Sequence, residues 1–272
     1  MRSPAHSITL GIAWFALHFA ATAGAQGSSL DAAQEPSRPV VEDAALLDKG
    51  RLHAQQKALV RLGLQTDPQA DIVLRSQLER FRAGQLAPAL WLELFEAIPK
   101  RRHADLTARL AESQPGGGKS ADPLLQFREC LQGGDGESGR LIFTRKPEAG
   151  CIRCHSVDGA GGQIGPELTW LRHSVERLHI LESIILPNAT IAEGFGSALL
   201  KLKGGEEIFG VLSSENETDL TVTSITDGKK RRILIADILE RTPLPSPMPP
   251  QFGQVLSKRE IRDLVEFLAE GD

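Results

Sequence analysis

Cys151-Ile152-Arg153-Cys154-His155 is the segment of this sequence best equipped for chemistry. Two thiols at this spacing, one turn apart, can add across the two vinyl groups of a haem, and the adjacent imidazole can reach the iron as proximal ligand. The alternatives are half of a zinc site, a redox dithiol, or chance. The chain has three cysteines, so assigning Cys151 and Cys154 to one group leaves Cys130 over. A second CxxC that would complete a four-ligand zinc site is absent from the sequence, and Cys130 alone cannot build a disulfide framework. Cys130 is expected to be a half-buried small apolar residue, with an intermolecular crosslink as the alternative.

A ligand for the opposite face of an iron is available in Met248, set in Ser246-Pro247-Met248-Pro249-Pro250 and the one methionine after Met1. A thioether is a soft neutral ligand that suits haem iron and raises its potential, and flanking prolines hold the chain extended. The alternative is a Met packed in a Pro-rich loop. His173 and His179 compete for the sixth position, but surface or capping roles are expected for both. Between His155 and Leu168 lie four glycines in seven residues, Gly159 to Gly165, which permit a backbone path close to a flat macrocycle. The Pro166 carbonyl can accept from His155 Nδ1, fixing the ring and raising its basicity. Trp170 and Arg172 can reach porphyrin carboxylates; packing and a solvated charge are the alternatives.

The elements around these residues suggest an exported chain of two modest cores. Met1 to Ala25 has an early Arg2, an apolar run from about Ile8 to Ala21, and Ala23-Gly24-Ala25 before Gln26, the layout of a secretory signal. An uncleaved anchor is the alternative. Haem is joined to such thiols outside the cytoplasmic membrane, so an exported CxxCH stands in the right compartment. Gln26 to about Glu42 lacks apolar period and is expected to be a flexible linker. With 31 Lys+Arg against 35 Asp+Glu and a pI near 6.0 there is no global basic field, so nucleic acid is not an expected partner. After the signal no apolar stretch reaches spanning length.

From Asp43 to Ser113 apolar residues recur at three and four residue steps, punctuated by Gly63, Gly84 and Pro99. This pattern predicts about four helices forming a helical-repeat fragment, thin alone and therefore packed on a neighbour. His53 and His103 are expected to be solvated on polar helix faces. Ser113 to Ser120, with three successive glycines, is a second linker. A short helix follows from Asp122 to Cys130, and another over Gly139 to Phe143 leads to the thiols. Ser174 to Leu186 predicts an amphipathic helix with Val175, Leu178, Leu181, Ile184 and Ile185 on one face, ended by Pro187. Four strands are then predicted, Ala198 to Lys203, Ile208 to Ser213, Leu220 to Ile225 and Arg232 to Ile238, with turns at Gly204-Gly205 and Asp227-Gly228. Ser257 to Glu260 is a capping box opening a helix whose core face is Ile261, Leu264, Val265 and Leu268.

The sequence resembles a family, the planctomycete-type haem-binding cytochrome c domains of exported bacterial proteins, often found after helical repeats. The residues that carry the likeness are Gly133-Gly134-Asp135, Gly139-Arg140, Ile142-Phe143, Cys151 to His155, Gly161-Gly162, Gly165-Pro166-Glu167-Leu168, Leu186-Pro187-Asn188, Gly194-Phe195, Gly210-Val211-Leu212, Asp237-Ile238, Ser246-Pro247-Met248-Pro249 and Leu256-Ser257 through Asp263-Leu264. They span about residues 125 to 270. The resemblance implies a mainly α fold with a β insertion: a HEAT-like helical-repeat segment (43–120 with its linker), then a class I type cytochrome c domain (121–272) carrying a small antiparallel β-sheet at about 195–241. It further implies His155 and Met248 as axial ligands and a role in electron transfer. Longer members carry a propeller or dehydrogenase domain not found here, so a separate subunit serving a catalytic partner is implied.

The expectation is therefore an exported, periplasmic monohaem c-type cytochrome and not an enzyme. It would hold one covalent haem c through Cys151 and Cys154, iron through His155 and Met248, with Pro166 and Arg172 as further cofactor-binding residues. It would take electrons from a partner such as a periplasmic dehydrogenase. Two alternatives stay open: a haem enzyme or gas sensor with an open iron position, and a docking scaffold with structural haem. For the scaffold, Lys229-Lys230-Arg231-Arg232 is the basic patch that would meet an acidic partner, against a solvated turn.

Overall fold

A computed structural model describes residues 38–114 and 122–271. The signal segment 1–25, the linker before residue 38 and the glycine run of the second linker lie outside the described residues. The chain is of mixed class, helices with a five-stranded antiparallel sheet, and its apolar side chains gather in three clusters.

The first cluster belongs to five helices: α1 (Val40–Lys49), α2 (Leu52–Leu64), α3 (Gln69–Arg82), α4 (Trp91–Lys100) and α5 (Ala104–Ser113). That is one more than the periodicity predicts, and α1 begins inside the expected linker, directly after Pro39. Leu59, Leu62, Leu74, Leu78, Leu94, Ile98 and Leu106 are fully buried between them, each worth roughly 1.5–3 kcal/mol of apolar burial. Phe81 meets Trp91 and Phe95 edge-on at 5.2 and 5.0 Å. Gly63 is not a break. It lies within α2, where a Cβ would stand 2.7 Å from Ala97 Cα, so its bareness lets α2 and α4 touch backbone to backbone. His103 is not simply solvated either: its Nδ1 accepts from the Leu106 N–H at 3.4 Å and caps α5.

The second cluster forms around α6 (Gly136–Arg145). Asp135 caps this helix by accepting from Ser138 N–H at 2.6 Å. A two-residue ribbon of β1 (Ser156–Val157) and β2 (Ala160–Gly161) follows, then α7 (Arg177–Ile185). Helix α7 is shorter than predicted, and its buried residues are Ile180, Leu181, Ile184 and Ile185; Leu178, expected on that face, is 51% exposed.

The inserted sheet has five strands rather than four: β3 (Ser197–Leu202), β4 (Glu207–Glu215), β5 (Asp219–Ser224), β6 (Lys230–Leu234) and β7 (Ile238–Leu244), in spatial order β6-β5-β4-β3-β7. The insertion thus runs on to Leu244. Its third apolar cluster is Ala198, Leu200, Leu202, Leu220, Val222 and Ile233, with Gly205 and Gly228 at positive φ in the predicted turns.

After the short α8 (Phe252–Val255), α9 (Lys258–Glu270) begins at the predicted capping box, in which Ser257 and Glu260 exchange bonds. Ile261, Leu264, Val265 and Leu268 are all buried. Helix α9 crosses α6 so closely that a Cβ on Gly139 would lie 2.0 Å from the Asp263 carbonyl. It also reaches the first cluster. Glu93 of α4, fully buried, accepts from Arg262 Nη1 at 2.9 Å and Arg259 Nη1 at 3.0 Å. Gln56 donates to the Gly133 and Ala89 carbonyls, and Arg128 stacks on Trp91 at 4.7 Å. Among the described residues no helix is long and apolar enough to cross a membrane.

Candidate functional site

Helix α6 hands the chain to residues 146–150, and Gly150, in the left-handed region at φ 58°, turns it into a single 3₁₀ turn over Cys151–Arg153. Cys154 N–H and His155 N–H both donate to the Cys151 carbonyl, at 3.1 and 2.9 Å. The two thiols therefore stand one tight turn apart, both free and half-buried. Burial pushes the Cys151 thiol up to about 11 and raises Cys154 as well. A redox dithiol needs the opposite, a thiol lowered by positive charge or a helix N-terminus.

His155 carries the clearest geometry. Its Nδ1 lies 3.0 Å from the Pro166 carbonyl. A carbonyl only accepts, so Nδ1 holds the hydrogen and Nε2 is left with its lone pair for a ligand. Burial lowers the imidazole pKa, while the Pro166 bond pulls it back up. The ring is thus neutral at neutral pH, the form in which an imidazole binds metal.

The glycine-rich loop is wound around this turn by its own backbone. Gly162 N–H donates to the Ile152 carbonyl at 2.8 Å, Gly165 N–H to Cys154 at 2.8 Å, and Leu168 N–H to Ser156 at 2.8 Å. A Cβ on Gly161 would lie 2.2 Å from the His155 carbonyl, and one on Gly162 2.0 Å from the Arg153 carbonyl. On Gly165 it would lie 2.5 Å from His155 Cε1. These glycines make room for the chain's own backbone and imidazole, where the sequence suggested room for a flat macrocycle. The short β1–β2 ribbon in the loop is too brief to leave a periodic signal.

Arg172 does not stand free. Its two terminal nitrogens fork onto Asp158 at 2.9 Å each, and its guanidinium lies 5.6 Å from the Phe267 ring centre, so it clamps the β1–β2 turn to α9. Trp170 is 55% exposed. His173 and His179 face carboxylates, Glu270 at 3.1 Å and Glu182 at 3.6 Å. Cys130 is fully buried rather than half-buried, and burial raises its thiol pKa far above the ordinary range. In the basic patch Lys229 pairs with Asp227, Arg231 with Glu206 and Arg232 with Asp219, so much of its charge is answered within the sheet.

Met248, half-buried, packs against the same apolar cluster that receives Cys151, Ile152 and Leu168. Its N–H donates to Ser246 Oγ at 3.2 Å. Ser246 N–H in turn donates to Asn188 Oδ1 at 2.8 Å, a contact across 58 residues that no local pattern announces. Among the described residues no three His, Cys, Asp or Glu side chains form a group that could hold a metal ion.

These residues fit a covalently attached haem. Two uncommitted thiols sit one turn apart, an adjacent neutral imidazole has Nδ1 tied to Pro166 and its outer Nε2 free, and half-buried apolar side chains with a thioether share one cluster. No family model and no curated protein matches the chain.

Proposed function

We propose that this chain is an exported, periplasmic monohaem c-type cytochrome that carries electrons from a dehydrogenase partner to a downstream acceptor. It would belong to the planctomycete-type haem-binding family that its motifs resemble, the helices 40–113 being its HEAT-like repeat segment and residues 121–272 its class I type domain. The observation that supports this most is the His155–Pro166 hydrogen bond beside two free thiols in one turn. When bound, the haem supplies a one-electron iron couple. Cys151 and Cys154 would hold it by adding their S–H bonds across its two vinyl groups, His155 Nε2 and Met248 Sδ would ligate its iron, and the Pro166 carbonyl keeps the imidazole oriented and electron-rich. Two ligands supplied by the chain would disfavour exchange with small molecules, which would separate a carrier from a haem enzyme or gas sensor.

The test is production in a host with cytochrome maturation machinery. The expected product is red, has the mass of chain plus one haem, and keeps its haem through acid extraction. Its ferric spectrum carries the long-wavelength charge-transfer band of sulfur ligation. The Cys151→Ser, Cys154→Ser double variant is expected to release its haem to that extraction. A colourless product at apoprotein mass overturns the proposal, and rapid carbon monoxide binding by the reduced protein overturns its axial ligation.

A further inference from the structure

The inserted sheet ends where Met248 begins. Strand β7 stops at Leu244, and Pro245-Ser246-Pro247 is all that separates it from the thioether. Three prolines in Pro245 to Pro249 stiffen this strap but leave few N–H groups to tie it down, so side chains from elsewhere must hold it. Two do so. Ser197, the first residue of β3 and 4% exposed, has its hydroxyl 3.2 Å from the Leu244 carbonyl and 2.7 Å from the Pro245 carbonyl. Asn188, in the loop after α7, accepts the Ser246 N–H at 2.8 Å, and Ser246 Oγ accepts the Met248 N–H at 3.2 Å.

We infer that Asn188 and Ser197 are positioning residues for Met248. Asn188 fixes the strap from the α7 side, Ser197 fixes it from the sheet, and the β insertion serves as the frame from which the sulfur is presented. This rests on Met248 being an iron ligand. Neither residue touches the metal; each acts by raising the share of molecules in which the strap is closed. Losing one hydrogen bond of ordinary strength shifts such an equilibrium about fivefold.

An outside ligand reads that share directly, because imidazole binds ferric iron only when the thioether has swung away, so its apparent affinity scales with the open fraction. Asn188→Ala is expected to raise the apparent imidazole affinity of the ferric holoprotein about fivefold and to weaken the long-wavelength sulfur band. Asn188→Asp, which keeps an acceptor oxygen, stays near the parent. Ser197→Ala moves in the same direction as Asn188→Ala. Unchanged imidazole affinity in Asn188→Ala overturns the inference, as does an Asn188→Asp protein that binds imidazole as well as the Ala variant. A parent protein that holds haem yet lacks the sulfur band fails the ligand assignment instead, before any variant is compared.

Discussion

Replacing Glu93 by Ala tests how the helical segment and α9 are held together. Glu93 is fully buried in α4, and its carboxylate accepts from Arg262 Nη1 at 2.9 and 3.0 Å and from Arg259 at 3.0 Å. The two arginines differ in what they keep afterwards. Arg259, 24% exposed, retains Glu96 at 2.6 Å. Arg262, with a side chain 3% exposed, is left buried without its counter-charge, and its Nε already lacks a hydrogen-bond partner. Removing one partner of a buried ion pair costs about 3–5 kcal/mol, a large share of a typical domain's 5–15 kcal/mol. For a chain of this size that corresponds to a fall of roughly 10 °C in melting temperature. The assay is urea unfolding followed by circular dichroism and by tryptophan fluorescence, to which Trp91 and Trp170 both contribute. The companion variant, Glu93→Leu with Arg262→Met, replaces the pair with apolar bulk and is expected to lie within about 1 kcal/mol of the parent or above it. If Glu93→Ala costs less than about 1 kcal/mol, or the double variant is as unstable as the single one, the reasoning is refuted.

At the site, Gly165→Ala places a methyl 2.5 Å from His155 Cε1 and 2.7 Å from Nδ1, so the ring must leave the Pro166 carbonyl; haem absorbance per protein mass is expected to drop severalfold at unchanged expression. The third expectation concerns Asp263, whose pKa burial raises to about 6 from 3.8, against the pull of its bond from Asp135 N–H. Between those values the folded state binds more protons than the unfolded one, so this group makes stability fall as pH rises from about 4 to about 6, by up to about 3 kcal/mol. Asp263→Asn should flatten that slope and raise stability at neutral pH; unfolding curves that keep the parent's pH dependence would count against it.

Local chemistry made part of this molecule legible in its sequence. The Ser257 capping box and the glycine turns of the sheet follow from residues a few positions apart, and the Pro166 carbonyl reaches His155 across one glycine-rich loop of eleven residues. Strand β7 left no such trace: it is exposed along most of its length and contains Pro243, so neither alternation nor propensity marks it. Gly63 looked like a break because its reason lies on another helix, at Ala97. The same holds for Arg172, whose partner Asp158 is 14 residues away, and for Glu93 with Arg262, 169 residues apart. Such pairings are invisible to any window that reads periodicity, because the residues become neighbours only once the helices have packed.

The position of α9 imposes an order of events on biosynthesis. A chain emerges N-terminus first, so α6 is complete more than a hundred residues before α9, the helix that packs on it. Until then Gly139 has no Asp263 to pack against, and Glu93 has no arginine. The last helix acts as a latch: its docking gives α6 its neighbour and buried Glu93 its counter-charge in a single step.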